Sequence, residues 1–133
     1  MKEIVAPLGE PITLPDGSIA PISPGFNAGP FLFLSGQLPF DETGALLTGD
    51  IAEQTTACLA NISRLLGQAG LSREHVVKAT VWLTDASDFR GFNEAYARFF
   101  GAHRPARSTV RSDLMLPGAR VEIEVTAYRA GQS

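Results

Sequence analysis

Two charged side chains in the last third of the chain set the chemical question. Arg107 stands two residues after Pro105, at the start of the segment Ala106-Arg107-Ser108-Thr109-Val110. Proline fixes its own backbone and pushes Arg104 toward extended geometry, so Arg107 arrives on a stiff approach to a strand. A guanidinium held on a strand end can offer its flat, two-pronged face to a carboxylate. Glu122, within Val121-Glu122-Ile123-Glu124-Val125, is the second candidate. Plain structural roles also fit both. Most arginines are solvated surface charges, and Glu122 and Glu124 could simply balance nearby Arg and Lys side chains.

The rest of the sequence narrows the chemistry. It contains no Walker loop, no G-x-G-x-x-G and no C-x-x-C. His75 and His103 have no partners at metal-ligand spacing and read as solvated residues at element ends. Cys58 falls on the apolar side of a helical pattern and reads as a buried structural thiol. The residues offer no site for a metal or cofactor.

Those candidates must be positioned by a small set of elements. Pro and Gly crowd the first fifty residues and punctuate short strands with turns, and Phe31 to Ser35 is an apolar run suited to a buried strand. Asp50-Ile51-Ala52-Glu53 has the form of a capped helix start. Apolar residues then recur at helical spacing from Ile51 to Ala69, with Gly70 as the stop. Val76 to Thr84 alternates and is β-branched, which predicts a strand. A second helix, capped by Ser87 or Asp88, carries Phe89, Phe92, Tyr96, Phe99 and Phe100 on one face and ends at Gly101. At that spacing the five rings read as core, and Asn93 among them as a polar group satisfied by a neighbouring loop. Strands follow over Ala106–Leu114 and Arg120–Arg129, and a turn near Pro117-Gly118 predicts that they form a hairpin. Gly36, closing the buried strand, predicts close backbone approach or a special backbone angle.

The order hairpin, helix, strand, helix, strand, strand predicts an α/β (α+β) domain spanning 1–133. Its mixed sheet carries both helices on one face. In the last strand Val121, Ile123, Val125 and Ala127 point one way, and Glu122, Glu124, Thr126 and Tyr128 the other. The helices take the apolar face. A second face bearing Lys78, Trp82, Glu122 and Glu124 makes most sense packed against other copies of the chain. In a hairpin, Arg107 and Glu122 sit toward opposite ends and need not meet within one chain, while a subunit boundary could still bring them together.

Length and composition agree. The 133 residues are 44% hydrophobic and 19% charged, with net charge −3, which suits one globular domain and argues against a charge-driven nucleic-acid surface. A single cysteine excludes an internal disulfide. The N-terminus lacks the apolar run of a signal peptide and no segment approaches a membrane span, so the expected location is cytoplasmic.

Six blocks then assemble in order: S-G-Q at Ser35–Gln37, L-L-G-Q-A-G-L, V-V-K-A-T-V-W-L-T-D, F-N-E-A-Y-A-R-F-F, P-A-R-S and V-E-I-E-V-T-A. Together, from about Ile19 to Arg129, they resemble the Rid, or YjgF-type, family of reactive-intermediate deaminases. The resemblance implies a chorismate-mutase-like fold and a homotrimer whose sheets form a central barrel, with clefts between subunits. It implies that Arg107 binds the substrate carboxylate and that Glu122 positions the attacking water. Asn93, Ser35, Gly36 and Thr109 would line the cleft. It departs at Ile22, where relatives often carry a tyrosine over the cleft, and at Thr109, often a cysteine; Ile22 makes the pocket more apolar.

The activity implied is cofactor-free hydrolysis of a 2-imino acid, or its enamine tautomer, to a 2-keto acid and ammonia. Two rivals remain. The cleft could bind a carboxylate metabolite without turnover. Relatives have also been credited with ribonuclease activity, against which the acidic charge and the missing basic-aromatic surface argue.

Overall fold

A computed structural model describes residues 5–129. Its first helix, α1 (Ile51–Gln68), begins as the sequence predicts. The Asp50 carboxylate accepts from the Glu53 N–H at 2.8 Å, and the Glu53 carboxylate accepts from the Asp50 N–H at 3.2 Å. It ends where Gly70 takes a left-handed φ of 73°, letting the Gly70 and Leu71 amides cap the carbonyls of Gly67 and Leu66. The face carrying Cys58, Leu59, Ile62, Leu65 and Leu66 is buried.

The second helix, α2 (Phe89–Phe100), departs from expectation at both its cap and its face. Neither Ser87 nor Asp88 caps it. Asp85 instead caps a single 3-10 turn over Ala86–Asp88 by accepting from the Ser87 N–H at 2.9 Å. The Asp88 carboxylate is used elsewhere: it grips Arg120 with two hydrogen bonds, at 2.6 and 3.0 Å. Phe92, Tyr96 and Phe100 are core, but Phe99 is half-buried and Phe89 is 45% exposed.

The strands are β1 (Val5–Leu8), β2 (Gly25–Ala28), β3 (Phe31–Leu34), β4 (Val76–Leu83), β5 (Ala106–Arg111) and β6 (Val121–Tyr128). They form one mixed sheet in the order β1-β2-β3-β6-β4-β5, in which only β4 and β5 run parallel. The predicted hairpin of the last two strands does not form, because β4 lies between them. The physical reason lies in their composition. β6 buries every second side chain and belongs inside the sheet, whereas Ala-Arg-Ser-Thr-Val-Arg is polar and charged and suits an edge. β4, α2 and β5 then make an ordinary parallel crossover.

Both helices pack on one sheet face, as predicted. That face carries Leu32, Leu34, Ala79, Val81, Leu83, Val121, Ile123, Val125 and Ala127, all buried. The opposite face carries Lys78, Trp82, Glu122 and Glu124 together with exposed Phe31, Phe33 and Tyr128. Among the described residues, no helix is long and apolar enough to cross a membrane.

The turn that delivers β6 is pinned from two sides. Gln54, 1% exposed, donates to the carbonyls of Leu47 and Gly118, and its side-chain oxygen accepts from the Arg120 N–H at 2.7 Å. Arg120 in turn pairs with Asp88, tying the start of β6 to the start of α2. Arg120→Ala strands a buried carboxylate and is expected to cost about 2 kcal/mol, below the roughly 3–5 kcal/mol of fully buried pairs because the arginine is part-exposed. Urea melts of the two proteins measure it.

Candidate functional site

Arg107 pairs across the sheet with Ala79, whose side chain faces the helices, so the guanidinium lies on the helix face at the sheet edge. Three rings of α2 hold it there. The guanidinium carbon is 4.7 Å from the Tyr96 ring centre, 5.2 Å from Phe92 and 5.9 Å from Phe89. These are cation–π distances. Among the described residues no carboxylate pairs with Arg107, and the guanidinium approaches the phenol of Tyr96. Arg120 shows the contrast: its fork is spent on Asp88.

Thr109 lies two residues along β5 on the same face, half-buried like Arg107. The backbone here is also available. The Ser112 N–H bonds inward to the Leu83 carbonyl, so the alternation of a strand turns the N–H groups of Arg107 and Thr109 outward from the edge. Asn93 follows Phe92 on the helix that supplies the rings. It is half-buried and makes no side-chain hydrogen bond among the described residues, so the neighbouring-loop partner expected for it is not found.

Glu122 belongs to a second cluster. After β3 the chain passes Ser35-Gly36-Gln37 and pairs again with β6, Gln37 and Ile123 exchanging hydrogen bonds of 2.7 and 3.1 Å. The Glu122 carboxylate folds onto Gly36, where a Cβ would collide with it. Gly36 has no positive φ, so close approach rather than a special angle explains the glycine. The Ser35 hydroxyl donates to the Ser23 carbonyl at 2.6 Å, which fixes the loop bearing Ile22, itself 54% exposed. Burial first, and the Glu124 charge second, push the Glu122 carboxyl above the ordinary glutamate range.

Within one chain the two clusters stay apart. Glu122 pairs with Trp82 and Trp82 with Val110, which places β4 between the clusters and puts them on opposite sheet faces. Arg107, Asn93 and Thr109 form one group; Ile22, Ser35, Gly36 and Glu122 form the other. Separation within the chain was expected, but its cause is the sheet order and not a hairpin's two ends.

The remaining candidates are accounted for locally. His103 is not solvated: it is half-buried, with Nε2 2.7 Å from the Val76 carbonyl. His75 is half-buried too, its Nδ1 accepting from the Ser72 N–H at 3.1 Å. Cys58 is fully buried, and burial, with the Glu122 charge behind it, pushes its thiol far up. No group of three or more His, Cys, Asp or Glu among the described residues could hold a metal ion. A groove of about 750 Å³ runs past Phe40, Glu42, Leu47, Thr56, Arg64 and Arg98 and includes no residue of either cluster.

Sequence reasoning missed the rings under Arg107. Phe89, Phe92 and Tyr96 were visible as a helical stripe, but nothing in that spacing says that a strand-end arginine would cover it.

The comparisons with known proteins agree on one family. The sequence profile described as Endoribonuclease L-PSP matches residues 15–129. A RutC family protein of Pyrococcus horikoshii is 41% identical over 97% of this chain and 99% of its own. TdcF of Escherichia coli, named as a candidate reactive intermediate deaminase, is 33% identical over 98% of this chain and 99% of its own. Among solved structures, a candidate endoribonuclease of Thermotoga maritima superposes with a TM-score of 0.81 at 39% identity, covering 98% of this chain and 100% of the other. RidA from the Antarctic bacterium Psychrobacter gives a TM-score of 0.78 at 36% identity, over 84% and 90% of the two chains. With its fold, its ordered sequence blocks and these relatives in agreement, the chain belongs to the Endoribonuclease L-PSP family, the Rid or YjgF family.

Proposed function

We propose that the protein hydrolyses 2-imino acids, or their enamine tautomers, to 2-keto acids and ammonia, at clefts completed by neighbouring copies in a trimer. The observation that carries this reading is Arg107: a half-buried guanidinium, seated on aromatic rings, with no carboxylate partner among the described residues. Such a group is built to receive a carboxylate from outside. The name of TdcF, a candidate reactive intermediate deaminase, points the same way.

In the proposed reaction Arg107 binds the substrate carboxylate and fixes the orientation of the adjacent C=N carbon. Glu122 of a neighbouring copy holds a water against that carbon. As the water oxygen bonds to carbon, Glu122 takes a proton from it, the C=N π pair moves to nitrogen and solvent protonates that nitrogen, giving a tetrahedral carbinolamine. Glu122 returns its proton to that nitrogen, the C–N bond breaks to release ammonia, and the hydroxyl oxygen closes to C=O as its proton passes to solvent, leaving the keto acid. The raised Glu122 carboxyl suits it to both taking and returning the proton. Asn93, Thr109, Ser35, Gly36 and Ile22 border the substrate. Although the family description names an endoribonuclease, a chain of net charge −3 offers little attraction to a phosphate backbone.

Ammonia release from freshly generated 2-imino acids, small through aromatic, tests this directly. Wild type is expected to accelerate hydrolysis over buffer, and Arg107→Ala to lose about 100-fold in kcat/KM through its charged, two-pronged contact. Tight binding of keto acids with no acceleration would instead establish a carboxylate-binding protein.

The pH dependence follows from Glu122. It works as a base only when ionised, so kcat/KM should fall with acid along a limb centred above the ordinary glutamate value of 4.5. Its folded-state affinity for a proton exceeds that of the unfolded chain, so the ionised form costs stability. That cost is complete above the raised value and absent below 4.5. Glu122→Gln should therefore melt higher than wild type at neutral pH, lose this advantage in acid, and be inactive. A scan of Tm and rate against pH measures all three.

A further inference from the structure

Tyr96 is 8% exposed, and its hydroxyl has no hydrogen-bond partner among the described residues. An unpaired buried hydroxyl costs stability that a phenylalanine at the same place would avoid. The cost falls at a telling position. The same ring carries the Arg107 guanidinium 4.7 Å from its centre. Burial pushes the phenol up while the Arg107 charge and its approach to the phenol oxygen pull against it; the O–H stays protonated through neutral pH and, with a guanidinium that only donates beside it, still lacks an acceptor. Among the described residues the other buried hydroxyl without a partner is that of Thr55, on the core side of α1.

A cation without an internal counter-ion thus sits beside a donor without an internal acceptor. One ligand group satisfies both. A carboxylate has two oxygens, each able to accept more than one hydrogen bond. We propose that the Tyr96 hydroxyl is a substrate-binding group that donates a hydrogen bond to the carboxylate paired with Arg107. The proposal rests on the reading of Arg107 as the carboxylate anchor and adds a requirement to it. The ligand must bring a bare carboxylate, because an amide or ester leaves the guanidinium without its counter-charge. Tyr96 belongs to the core by packing and to the site by its oxygen.

Calorimetric titration of 2-oxobutanoate, a keto-acid product of the proposed reaction, tests the inference independently of turnover. It is run on wild type, Tyr96→Phe, Arg107→Ala and the double variant, with melting curves for each. Tyr96→Phe is expected to melt at or above wild type and to bind the keto acid about tenfold more weakly, in line with a hydrogen bond to a charged group. In the Arg107→Ala background the same change should have little further effect, since the two residues hold one group. Equal affinity of wild type and Tyr96→Phe, a full tenfold loss that persists without Arg107, or no detectable binding to wild type would each overturn the proposal. Imines left unhydrolysed by a wild type that binds the keto acid in a Tyr96-dependent way would defeat the deaminase reading alone.

Discussion

A guanidinium half out of water, without a counter-ion among the described residues, is the constraint around which the molecule is arranged. Charge is costly to bury unless something replaces its hydration. Here the replacement is the π-faces of Tyr96, Phe92 and Phe89, each contact worth about 0.5–2 kcal/mol depending on how dry it is. An acidic partner would hold Arg107 more firmly and would also occupy the donors that a ligand needs. Aromatic seating fixes the side chain and leaves its fork open. Lysine could not take this role, because a point charge neither stacks flat nor presents two parallel donors.

The seating explains why β5 and α2 belong together. The parallel crossover from β4 through α2 to β5 sets the helix beside the edge strand, and the polar composition of β5 keeps it at the edge. Arg107 and Thr109 can then turn both side chains and backbone N–H groups toward whatever docks there. The second cluster is secured by different means. Glu122 rests in a space that exists only because residue 36 lacks a side chain, and Gln54 with the Asp88–Arg120 pair fixes the turn from which β6 starts. Since β4 divides the clusters, a cleft containing both needs two copies of the chain. The sheet face lined by Phe31, Phe33, Trp82 and Tyr128 is the apolar surface available for such contact.

Much of this was legible in the residues, for reasons that are local. The Asp50–Glu53 box and Gly70 mark α1 because orphan amides and carbonyls at helix ends demand particular partners. Alternation in Val121–Tyr128 assigns one face to the helices and leaves Glu122 on the other. The two-helix, one-face architecture follows from the element order. Arg107 and Glu122 were identifiable as candidates, and the order of the six blocks was enough to suggest the family. The strand order was not legible. A Pro-Gly turn between two strands looks like a hairpin, and only the competition for the sheet interior, which β6 wins over β5, reveals the crossover. The same non-local fact hid the rings under Arg107, the use of Asp88 to hold Arg120 instead of capping α2, and the burial of His103 against the Val76 carbonyl.

The most direct measurement of a site shared between copies is complementation. Arg107→Ala chains, weakened about 100-fold, and inactive Glu122→Gln chains are denatured, mixed and refolded together, and ammonia release from a 2-imino acid is followed. If each cleft takes Arg107 from one copy and Glu122 from another, mixed assemblies contain clefts with both residues intact, and activity returns to a sizeable fraction of wild type. A mixture as inactive as its components, under conditions where refolded wild type recovers its rate, would contradict a shared site.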